Sequence, residues 1–160
     1  MHIPHPKTIL VGLLSAGFVV LAGYFVVMNV VTLPRAEATL DRAAVRLEGP
    51  PALAVGEQGA LVLHVDNRAN RDAVRLRDML VTPNVSELVH LDGRALSGQG
   101  AALDGDRITW NREVPGGGAA ELSLPFQARK AGRSQGALLL LFEVPRMTKG
   151  KALPLTIEVR

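Results

Sequence analysis

The chain has 160 residues, carries 18 Lys and Arg against 15 Asp and Glu, and is 48% apolar. That length holds one ordinary domain plus an appendage, not two large domains, and the apolar share argues against wholesale disorder. The absence of cysteine excludes disulfides, thiolate metal sites, haem attached through Cys-x-x-Cys-His and a cysteine nucleophile.

After a leader over residues 1–8, the segment from Ile9 to Val31 runs 23 residues without a charge. At a helical rise of 1.5 Å per residue it spans roughly 34 Å, enough for a hydrocarbon core of about 30 Å. The pattern predicts a single transmembrane helix over 9–33, with Pro6 and Pro34 where a helix should start and stop. The rival reading is a cleaved signal peptide, for which Ala36-Glu37-Ala38 resembles a cleavage site. A signal peptide's apolar region is about 7–15 residues long, much shorter than this one, so a retained anchor is the reading taken.

Lys7 lies on one flank, and Arg35, Arg42 and Arg46, offset by Glu37, Asp41 and Glu48, on the other. A count of positive charges alone puts the C-terminal side in the cytoplasm, but long domains translocate largely regardless of charge. The short leader before a long apolar run predicts a signal anchor in a bacterial inner membrane, with a cytoplasmic N-terminus and a periplasmic domain. Gly12, Ser15, Ala16 and Gly23 form a stripe of small residues that suits close helix packing in lipid; equally, Gly and Ala are common in any such helix. The segment carries no His, Asp, Glu, Lys or Arg, so it offers no imidazole ligand and no proton relay.

Residues 34–42 read as a short connector, and 43–160 as one domain. Apolar runs predict strands over Ala43–Glu48, Ala60–Asp66, Ala73–Val81, Arg107–Arg112, Ala119–Ala128, Gln135–Val144 and Ala152–Val159. Leu61, Leu63 and Val65 alternate with polar or outward positions, as do Leu122, Leu124 and Phe126, which is the period of an antiparallel sheet with one buried face. Pro154 points to an edge strand or to a strand that starts after the proline. The run Leu138–Phe142 is apolar throughout; it predicts a central strand covered on both faces, with an exposed patch used by a partner as the alternative. Turn residues fall at 49–51, 67–70, 104–106, 115–118 and 130–132. Trp110, Phe126 and Phe142 are the predicted aromatic core. About seven short strands predict an all-β, immunoglobulin-like antiparallel sandwich behind a single transmembrane helix.

The stretches Ala54-Val55-Gly56-Glu57, Leu61 to Asn67, Val74 to Leu80, Ile108-Thr109-Trp110, Val114 to Gly118 and Ala120 to Phe126 resemble the conserved-repeat and CARDB-type immunoglobulin-like modules of bacterial envelope proteins. The resemblance covers residues 45–145. It departs at Arg68-Ala69-Asn70, where those modules usually have a glycine after the asparagine, and in having one module rather than a tandem array. It implies a structural spacer or binding platform, with no catalytic residues to carry over, and it is an analogy of fold.

Candidate chemistry is sparse. His2 and His5 make two ligands without a third. Asp104 and Asp106 lack the oxygen donors and closing glutamate of a calcium loop and read as a hairpin tip. None of the five serines lies in a nucleophile elbow, and no phosphate-binding glycine motif is present. Catalytic, cofactor and metal sites are therefore predicted to be none. Arg68, Arg71, Arg75 and Arg77 are the partner-facing candidates, against the alternative of a solvated face with Asp72 and Asp78 as neighbours. From residue 43 onward 15 basic residues meet 13 acidic ones, too even a balance for nucleic acid.

These features predict a non-enzymatic accessory subunit that anchors in and braces a larger bacterial membrane complex. Its partners would be integral membrane subunits and the lipid bilayer, and an energy-converting assembly, photosynthetic or respiratory, suits a cofactor-free subunit. The alternative is a free-standing envelope binding or assembly factor acting transiently on a protein or lipid.

Overall fold

The computed structural model of the protein describes residues 18–144 and 147–160. The first described element, α1, runs Phe18–Arg42 and is long and apolar enough to cross a membrane by length and composition. Residues 9–17 of the predicted span lie outside the described residues. Pro34, expected to stop the helix, does not. It lacks an N–H, and its ring crowds the carbonyl four residues back. The helix absorbs this by widening to a π turn over Val27–Thr32, in which the Leu33 amide donates to the Met28 carbonyl, five residues back. Thr32 Oγ1 donates to the Val27 carbonyl at 3.2 Å across the same widened turn. Ordinary α geometry resumes over Leu33–Arg42, with Pro34 in its first turn, where a missing N–H costs least. Residues 34–42, expected as a connector, are therefore the last turns of one helix.

After α1 come β1 (Ala44–Glu48), β2 (Gln58–Asp66), β3 (Val74–Val81), a one-turn helix α2 (Pro83–Ser86), β4 (Val89–Leu91), a short helix α3 (Gly93–Ser97), β5 (Ala102–Asp104), β6 (Arg107–Val114), β7 (Ala119–Ala128), β8 (Gly132–Val144) and β9 (Met147–Val159). They form two antiparallel sheets, of order β1-β2-β7-β4 and β5-β6-β3-β8-β9. The three-strand sets β1-β2-β7 and β3-β8-β9 repeat the A-B-E and C-F-G arrangement of an immunoglobulin sandwich. β4 takes the fourth place in the first sheet, while β5 and β6 extend the second beyond β3.

All seven predicted strands are present, and β7 has the predicted bounds. β4 and β5 were not legible, because three residues are too few to show alternation. Pro154 does lie on an edge strand, β9. The expectation for Leu138–Phe142 divides. β8 is an interior strand, but only Leu138, Leu140 and Phe142 are buried; Leu139 is 40% exposed on the outer face. Among the described residues nothing covers that face at Leu139.

The core fills the space between the sheets. Leu63, Val65, Leu122 and Leu124 come from one side, and Leu76, Met79, Ile108, Leu138 and Leu140 from the other. Trp110, Phe126 and Phe142 join it, as their sequence positions predicted. Register slips by one residue between Leu76 and Asp78 against both neighbouring strands. This bulge turns Arg77 and Asp78 to the same outer side before Met79 resumes the inner row.

Candidate functional site

The end of the sandwich that receives α1 is built from the β2–β3 and β6–β7 loops and the β8–β9 hairpin. Ala36, Thr39, Leu40 and Ala43 follow the spacing of one helix face and are buried. Polar contacts fasten this face in place. Asn70 Nδ2 donates to the Thr39 carbonyl at 2.7 Å and to Asn67 Oδ1 at 2.7 Å. Asn67, itself fully buried, donates through Nδ2 to the carbonyls of Asp72, Val114 and Pro115 at 3.0–3.1 Å. Lys149 Nζ lies 3.7 Å from Asp41, and Lys151 Nζ donates to the Ala43 carbonyl at 3.3 Å. Gly116 is required here, since a β-carbon on it would lie 2.1 Å from the Arg71 carbonyl oxygen. The sequence marked 67–70 as a turn only. The signal for the latch is the Asn-x-x-Asn spacing itself, two amides that can bond both each other and main chain.

The four arginines singled out by sequence separate into two pairs. Arg75 and Arg77 lie on the outer face of β3, as their alternation with Val74 and Leu76 predicted, and each has an acidic neighbour across the sheet. Arg75 meets Glu113 at 2.9 Å and Arg77 meets Glu143 at 3.8 Å. Asp78 beside them accepts from Arg107 Nη2 at 2.8 Å, Arg107 Nε at 3.2 Å and Thr109 Oγ1 at 2.9 Å. The Arg107 hydrogen bonds hold the Asp78 carboxyl below its ordinary range, against the opposing effect of burial. Arg68 and Arg71, by contrast, sit on the exposed β2–β3 turn. Arg68 is 73% exposed with only a 3.9 Å approach to Asp66, and Arg71 has no ion pair among the described residues.

Next to the ion pairs, Leu80 and Leu139 are 42% and 40% exposed and line a shallow depression with Leu141 and Gly150. The strip is apolar, with Asp78 and Arg107 at its rim.

Of the helix-packing candidates, Gly12, Ser15 and Ala16 lie outside the described residues. Gly23 is on α1, and a β-carbon added there meets nothing within 4 Å. The apolar residues Phe18 to Val27 are exposed on every side of the helix.

His64 lies on the outer face of β2 between two carboxylates, with Nδ1 3.2 Å from Glu121 and Nε2 3.7 Å from Glu48. His90 lines a depression of about 610 Å³ at the end of the sandwich away from α1, with Gln58, Arg94, Pro125 and Gln127. Asp92 lines it too, but its Oδ1 caps α3 by accepting from the amides of Arg94 and Ala95 at 2.9 and 3.1 Å. Among the described residues no group of three or more His, Asp or Glu is placed to hold a metal ion. Asp104 and Asp106 form the β5–β6 hairpin tip.

No family model and no curated protein matches the chain. Among solved structures, PapD-like domain 7 of human CEP192, an ASH/PapD-like domain, is similar at 12% identity with a TM-score of 0.44, over 72% of this chain and 84% of that one.

Proposed function

We propose that this protein is a non-enzymatic, single-pass membrane subunit whose sandwich is held at a fixed place on the bilayer surface as a brace within a larger complex. One observation carries the reading: the apolar helix continues unbroken into the sandwich and is locked there by Asn70, Lys149 and Lys151. A tethered catcher of free ligands gains reach from a flexible linker; a brace gains from a stiff one. A helix that is apolar all round, without protein cover, fits lipid or neighbouring helices. Retention of the helix is supported by the place of Ala36-Glu37-Ala38, inside α1 with Ala36 buried against the sandwich.

The proposed location is a bacterial inner membrane with the sandwich periplasmic, and the proposed partners are integral membrane subunits. Purification of the native tagged protein in mild detergent is expected to bring down a stoichiometric set of membrane proteins. Recovery of the protein alone would overturn the subunit reading. The open Leu80–Leu139 strip favours a second reading, a free-standing envelope factor that captures a partner transiently on that face.

A further inference from the structure

We propose that the β2–β3 turn, residues 67–72, rests in the phospholipid headgroup layer of the bilayer that α1 crosses, with Arg68 and Arg71 donating to lipid phosphates. The proposal rests on the membrane reading above and adds where the sandwich touches the membrane and through which groups.

The apolar span is read to Leu33, Pro34 follows it, and Arg35 is the first charge. Ala36 is the first buried helix residue among those described, and Thr39, six residues past Leu33, is bonded to Asn70 of the turn. Six residues of helix rise about 9 Å. A bilayer's polar layer is about 5–8 Å deep on each side. With no flexible linker to lift it away, the turn is carried to the outer edge of the headgroup layer, within reach of a long arginine side chain.

Its residues suit that place. Asn67 and Asn70 face inward and are buried, while Arg68, Ala69 and Arg71 face out. A guanidinium presents paired donors that match phosphate oxygens, and a long arginine side chain extends toward the headgroup plane. Arg75, hydrogen-bonded to Glu113 at 2.9 Å on the sheet face, is not available in the same way.

The natural chain has no cysteine, so single labels are straightforward. Full-length protein carrying a fluorophore on Ala69→Cys is reconstituted into phosphatidylglycerol–phosphatidylethanolamine vesicles containing a headgroup-nitroxide lipid. Lys130→Cys, in the β7–β8 turn at the opposite end, is the control. Quenching is expected to be severalfold stronger at residue 69 than at residue 130. It should fall by about half when Arg68→Glu and Arg71→Glu are added, because two anions replace two lipid-attracted cations. Equal quenching at the two positions, in protein that survives an alkaline wash of the vesicles, overturns this proposal alone. Unchanged quenching in the double variant overturns the phosphate contact. Release of the protein by the wash overturns both the proposal and the membrane reading.

Discussion

Asn70 spends its side-chain amide on two acceptors at once, the Thr39 carbonyl of the helix and Oδ1 of Asn67. Replacing it with alanine leaves both acceptors buried without that donor, a cost of about 1–3 kcal/mol. The Asn70→Ala variant is expected to melt lower than the wild type and to admit protease between α1 and the sandwich, which limited proteolysis would detect. Ser134 is the opposite case. Its hydroxyl is buried with no hydrogen-bond partner among the described residues, so Ser134→Ala is expected to be neutral or stabilising by up to about 1 kcal/mol in a thermal melt. Asp78 gives a pH dependence. Its folded pKa lies below the unfolded value, so its contribution is present above the ordinary 3.8 and is lost as pH falls through the lower folded value. Stability of the wild type should therefore drop more steeply on acidification below 3.8 than that of Asp78→Asn, measured as Tm against pH. None of these three roles was read from the sequence, although the Asn-x-x-Asn spacing was a signal for the first. Asparagine in a turn, serine in a strand and an Arg–Asp pair 29 residues apart are all ordinary until folding sets their neighbours.

At the scale of elements, the periodic signals carried furthest. Alternation in β2 and β7 identified both the strands and their buried faces, because one face of each meets the core. In β8 the composition misled: five consecutive apolar residues imply cover on two sides, yet the outer side holds Leu139 beside Leu80 in the open. Leu139→Asp is expected to leave the melting temperature near that of the wild type, since the residue faces outward, and to remove any partner held on that strip; co-purification checks the second half. At α1 the proline rule needed its exception. A helix that widens by one residue can carry a proline past the turn it would otherwise break, and this one does so with Pro34. Pro34→Ala is expected to restore regular α geometry and raise helicity in circular dichroism. Gly116→Ala, which drives a methyl group onto the Arg71 carbonyl, should cost about 1–3 kcal/mol through displacement of the paired loops.

For the whole molecule, the relation between helix and sandwich matters more than either part. The sequence divided them at Pro34 and treated 34–42 as a joint, because composition changes there from apolar to charged. The structure keeps one rod across that change and fastens its charged half to the domain. The candidate surfaces then sort themselves by distance from the rod: Arg68 and Arg71 at its foot, the Leu80–Leu139 strip on the flank, and the His90 depression at the far end. A rod bolted to a body is a lever. β8 alone is 13 residues long, about 40 Å at the rise of an extended strand. A helix tilt of about 20°, common in bilayers, would swing the far end of the sandwich by up to about 14 Å. If α1 spans a bilayer as proposed, any change in its tilt, whether from neighbouring helices or from bilayer thickness, would be converted into a change in the height and reach of the far end of the sandwich.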